Sequence, residues 1–148
     1  MGKFKFRLES VKHLRAKEEE KSRIEFGRAQ SAVKDAHKSL QDLFSESAKR
    51  GDELRDRIAS GISVSEIALY EIFRMGQEVR AEKQQEVVEE KVNDMVYAFR
   101  EWMGRKKVLN TFEKLEEKKR EEFKKEEFKK EKKDIDELVV TRFKHKQE

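Results

Sequence analysis

Val33, Ala36, Leu40, Leu43, Ser47, Arg50 and Leu54 step along the chain by three and four in strict alternation, and Val88, Val92, Met95, Phe99, Trp102, Lys106 and Leu109 do the same. That spacing is the seven-residue repeat of a coiled-coil seam, which lays one narrow apolar stripe along each helix. A single stripe buries a two- or three-helix seam and leaves the rest of each helix in water. The pattern therefore predicts an all-α, elongated, single-domain molecule over residues 1–148, with no concave pocket and a mechanical or adaptor role in preference to a catalytic one.

Between Leu54 and Ile67 the repeat is interrupted by ASGISVSE, residues 59–66. Gly61 suits the left-handed position just past a helix end. Ser63 and Glu66 have the S-x-x-E spacing of a capping box, and Ile62 and Ile67 have that of a hydrophobic staple. One helix stopping and another starting explains all three signals, whereas a stutter in a continuous helix needs none of them. The expected fold is an antiparallel two-helix coiled-coil hairpin with unequal arms: helix 1 at about 5–59, a turn at about 60–63, and a longer C-terminal helix 2 at about 64–143. Pairing around Gly61 brings Leu8 near Glu116 and leaves the end of helix 2 overhanging. There EEFKK occurs twice, at 121–125 and 126–130, and Glu precedes a cation by four residues at Glu116/Arg120, Glu121/Lys125 and Glu126/Lys130. Such pairs support a helix that has little packing. Within the overhang the apolar face turns: Phe128, Ile135 and Val139 lie about 120–160° from Phe123 at 100° per residue. Ile135, Leu138, Val139 and Phe143 then form a face that cannot reach helix 1 and is available to a partner.

Composition sharpens this reading. Charged residues make up 46% of the chain and hydrophobic ones 35%, a balance that would suit disorder were the apolar residues not placed at helical spacing. There is no proline to break a helix and no cysteine to form a disulfide or thiolate metal site. No apolar run approaches the roughly 20 residues of a membrane span, so a cytoplasmic protein without direct membrane insertion is expected. The net charge of +4 is unevenly spread: residues 1–23 carry +4, 24–62 carry 0, 63–104 carry −4 and 105–148 carry +4. A hairpin gathers the two basic segments at its open end.

Catalytic and cofactor chemistry finds no foothold. His13, His37 and His145 have no partner at metal-ligand spacing, the glycines are scattered singly, and no phosphate-binding loop or dinucleotide fingerprint occurs. No enzyme, no metal and no cofactor is expected. Nucleic-acid binding is disfavoured because Lys alternates with Glu along the sequence and no stacking platform appears. A membrane-surface helix is disfavoured for the same mixed signs. Trp102 falls in the seam register, and Tyr70 and Phe73 read as either seam residues or an exposed patch near the turn.

The segments FKFRLESVKHLRAKEEEKSRIEFGRAQ (4–30), REWMGRKKVLNTFEKLEEKKREEF (100–123) and KKDIDELVVTRF (132–143) resemble, in order and spacing, the flagellar FliJ family. The resemblance implies a stalk and adaptor of the flagellar type III export apparatus, cytoplasmic and peripherally associated with the inner-membrane export machinery. Its implied partners are the export ATPase hexamer, whose ring assembly and activity it promotes, the export gate membrane protein, and export chaperones. By the same analogy Phe4, Phe6, Leu8, Arg15, Ile135, Leu138, Val139 and Phe143 contact the ATPase, and Tyr70 and Phe73 contact the gate. Gly76 and Gln77 leave the gate-facing segment poorer in large apolar side chains than that role suggests. Competing readings are the stalk of a virulence secretion system, a basic coiled-coil arm that binds RNA, and a generic coiled-coil dimerisation or scaffold protein.

Overall fold

A computed structural model of the chain describes residues 2–144. It contains two α-helices that pack against each other, α1 (Glu9–Ser60) and the longer α2 (Val64–Lys144). The contacts fall into two compact units, one of residues 21–102 and one combining the residues up to Glu20 with those from Met103 onward.

The unit of residues 21–102 contains the turn. Gly61 has φ of 89° and its amide donates to the Ile58 carbonyl at 3.1 Å. A residue without Cβ takes that left-handed conformation without strain, which is why α1 stops here. The capping box forms as its spacing predicts: the Glu66 amide donates to Ser63 Oγ at 3.3 Å and the Ser63 amide donates to Glu66 Oε2 at 3.0 Å. Ile62 is half-buried, and Ile67 keeps 41% exposure.

Beyond the turn the seam is narrow. Ala36, Leu40 and Val88 are its buried apolar residues, with Ala81 and Val92 packed against them. Two of its buried positions are polar: Ser22, and Gln77 at 3% exposure. Gln77 Nε2 donates to Glu46 at 3.2 Å, and Gln84 Nε2 donates to the Ala36 carbonyl at 3.0 Å. The other half-buried positions on this part of α1 mix large and small residues, Leu43, Ser47, Gly51 and Leu54. Gly51, not Arg50, occupies the position between Ser47 and Leu54. A Cβ at Gly51 would stand 3.3 Å from the Tyr70 hydroxyl, whereas Arg50 turns outward with its guanidinium 5.8 Å from the centre of the Phe73 ring. The heptad template chose the wrong neighbour because it scores side chains, and here the required property is the absence of one. At the other end of this unit Phe26 stacks on Trp102 at 5.4 Å and lies tilted to Phe99 at 5.4 Å. Aromatic pairs of this kind add to the packing beyond the apolar area they bury.

In the other unit, α1 begins at Glu9, not near residue 5. Phe4, Phe6 and Leu8 are half-buried while Lys3, Lys5 and Arg7 are exposed, an alternation with the period of an extended segment. Phe4 rests on Phe123 with ring centroids 5.7 Å apart, and the Arg120 guanidinium lies 5.5 Å from the Phe4 ring centre. The Gly2 amide donates to Glu127 Oε2 at 3.2 Å. An extended strap reaches farther per residue than a helix, so these first residues cover a longer stretch of α2 than helical pairing would allow.

Candidate functional site

The expected ATPase-contact residues all lie in the unit that joins the amino-terminal residues to the end of α2, in two separate settings. Phe4, Phe6 and Leu8 line an open groove of about 720 Å³ together with Leu115, Lys119 and Phe123. Their backs are held by α2 and only their edges are available. Ile135, Leu138, Val139 and Phe143 are exposed at 59%, 61%, 48% and 69%, and every described residue from Glu131 onward is exposed. The rotation of the apolar face past Phe123 thus produces an uncovered surface, as the spacing predicts. No contact joins the two sets.

Farther along α1, past Leu8 and on the side of the groove away from Ile135, stands a charged layer. Lys12 and Glu116 form an ion pair, and Glu116 also accepts from Arg120 at 2.9 Å. The pair places Lys12, one helical turn beyond Leu8, against Glu116. The hydrogen bond from Lys12 holds the Glu116 carboxyl below its ordinary pKa, and the same bond raises Lys12. Arg15 donates to Glu18 at 2.9 Å, and Glu18 also meets Arg105 at 3.1 Å. The Arg15 hydrogen bond, followed by the charges of Arg15 and Arg105, lowers the Glu18 carboxyl. Arg15 Nε is buried without a hydrogen-bond partner. Arg15 is therefore half-buried and engaged with its own helix, with one donor in reserve.

Tyr70 and Phe73, the expected gate contacts, are half-buried seam residues 6.4 Å apart between ring centroids. The open apolar surface beside them lies on the other side of α2, where Leu69, Ile72, Met75 and Val79 are exposed at 66%, 66%, 56% and 50%. At 100° per residue this row sits about 150° from the row of Tyr70, Phe73, Gln77 and Ala81. Sequence reasoning attended to one heptad and missed the second, interleaved with it; the signal was the spacing of 69, 72 and 79, a repeat of its own.

No group of His, Asp and Glu that could hold a metal occurs among the described residues, and His145 lies outside them. His13 and His37 are exposed. No helix among the described residues is long and apolar enough to cross a membrane.

These features define a two-helix coiled-coil protein with large apolar side chains left exposed on α2. The chain matches the family model described as "Flagellar FliJ protein" over residues 4–148, and it belongs to that family. Membership makes it a component of the flagellar export machinery. No curated protein and no solved structure gives a significant match.

Proposed function

We propose that the chain is a non-enzymatic stalk and adaptor that binds the ring of the flagellar export ATPase, promotes its assembly and activity, and links it to the export gate and to export chaperones. The observation that carries this reading is the uncovered apolar face of α2 at Ile135, Leu138, Val139 and Phe143 on a chain that belongs to the FliJ family. Large apolar side chains that no part of the described chain covers are what a partner would bury. The groove edge formed by Phe4, Phe6 and Leu8, with Arg15 behind it, supplies the remainder of the ATPase-facing surface. The row Leu69, Ile72, Met75 and Val79, backed by Tyr70 and Phe73, is the surface offered to the gate. The molecule works in the cytoplasm, held at the membrane by its partners.

ATP turnover of the cognate export ATPase, measured with and without the protein, tests the reading. Stimulation by the wild-type chain and its loss in Leu138→Asp and Phe143→Asp is the expected result. Absence of binding and stimulation, or full activity in both variants, would remove the stalk role.

A further inference from the structure

Along the linear sequence Lys and Glu alternate, but on the helix they separate. At 100° per residue Lys107, Lys114, Lys118, Lys125, Lys129 and Lys132 fall within an arc of about 60° on α2. Thr111 is the other residue in that arc between Lys107 and Lys132, and all seven are exposed. Glu121 and Glu122 border the stripe, and Asp136 ends it. Glu122 is already engaged by Lys119 at 2.8 Å. The residues of α2 that face the amino-terminal segment and α1, namely Arg105, Glu116, Phe123 and Glu127, lie on the opposite side, about 165° away. The stripe is therefore the outward face of this unit, about 38 Å long at 1.5 Å per residue.

We propose that this stripe docks the protein side-on against an anionic lipid bilayer. A flat surface is the partner that all six ammonium groups can reach together. Over this length the gentle bend of a long helix departs from a plane by about 2 Å, well within the reach of a lysine side chain. A duplex fits less well, because a straight row of cations laid along its axis meets a phosphate strand about twice in each turn of roughly 34 Å. A single strand would need aromatic platforms for its bases, and the stripe contains none. The contact is electrostatic at headgroup depth, so it needs no inserted segment.

Flotation of the full-length protein with vesicles of phosphatidylcholine alone, or with one third phosphatidylglycerol, tests this at low and at physiological salt. Binding to the anionic vesicles alone, weakened by salt, is expected, with a loss of about five-fold for each stripe lysine removed. The combined Lys118→Ala, Lys125→Ala, Lys129→Ala variant should fall more than a hundredfold, by about 125-fold on that scale. Lys119→Ala, Lys124→Ala, Lys130→Ala removes the same charge from outside the stripe and should retain most of the binding, with helicity by circular dichroism confirming that both variants fold. Equal loss in the two variants, or no binding to anionic vesicles at low salt, overturns the proposal. Displacement from vesicles by a short RNA duplex that binds more tightly, through the same lysines, would also overturn it and assign the stripe to nucleic acid. No ATPase is present in this measurement, so its outcome is independent of the stalk reading.

Discussion

Replacing Gln77 tests whether the polar seam stabilises the helix pair or fixes its register. Gln77 is 3% exposed, its Nε2 donates to Glu46 at 3.2 Å and its Oε1 accepts from Arg80 at 3.2 Å. Both partners are exposed, so water can satisfy them if the amide is removed. In Gln77→Ala two hydrogen bonds worth about 0.5–1.5 kcal/mol each disappear along with the side-chain packing, for a cost of about 2–4 kcal/mol. In Gln77→Leu the same bonds disappear, but a buried Leu side chain returns about 1.5–3 kcal/mol, leaving a net change within about 1 kcal/mol of zero. Urea unfolding followed by circular dichroism at 222 nm measures both, and the two variants should differ by about 2–3 kcal/mol. The amide's second effect is on pairing: a leucine at this position accepts slipped or intermolecular partners that a hydrogen-bonded glutamine rejects. Gln77→Leu should therefore show more dimer by light scattering at equal stability. A leucine variant as unstable as the alanine variant and still monomeric would refute the reasoning, because the amide would then be a source of stability and not of specificity.

Val88→Ala removes two buried carbons from the cluster with Ala36 and Leu40 and should cost about 2 kcal/mol, read from the urea midpoint at unchanged slope. Gly61→Ala places a Cβ at φ of 89° and should cost about 1–2 kcal/mol, with no change in helix content. Ser63→Ala removes one half of the capping box and should cost about 1 kcal/mol, an effect that Ser63→Asp restores. Stability should fall in acid. The Ser63 amide holds the Glu66 carboxyl below its ordinary value, as Lys12 does for Glu116 and Arg15 for Glu18. A carboxyl whose folded pKa is depressed binds fewer protons in the native state than in the unfolded one. Its contribution is complete above the ordinary value of 4.5 and is lost as the pH drops through the lowered folded value. Urea midpoints that are level from pH 7 to 5 and fall below pH 4.5 are the expected profile; a midpoint that rises on acidification would contradict it.

The amino-acid sequence by itself determined the helical class, the position of the turn and the rotation of the apolar face beyond Phe123. Each of these follows from local rules: a side chain's angular position on a helix depends only on its number, and a cap depends on residues within one turn of each other. The alternation of Phe4, Phe6 and Leu8 with Lys3, Lys5 and Arg7 was equally local, and it marks the extended strap that sets α1 back to Glu9. What only the tertiary structure decided was which side of each helix meets the other. Gly51 takes a seam position because the Tyr70 hydroxyl stands opposite, a fact about α2 that no spacing in α1 contains. Tyr70 and Phe73 turn inward and Leu69, Ile72, Met75 and Val79 outward because two interleaved stripes compete for one partner face. Along α2 the lysines can be sorted by angle from the sequence alone. That their stripe faces outward is decided by Arg105, Glu116 and Phe123, which hold the opposite side of the helix against the amino-terminal residues.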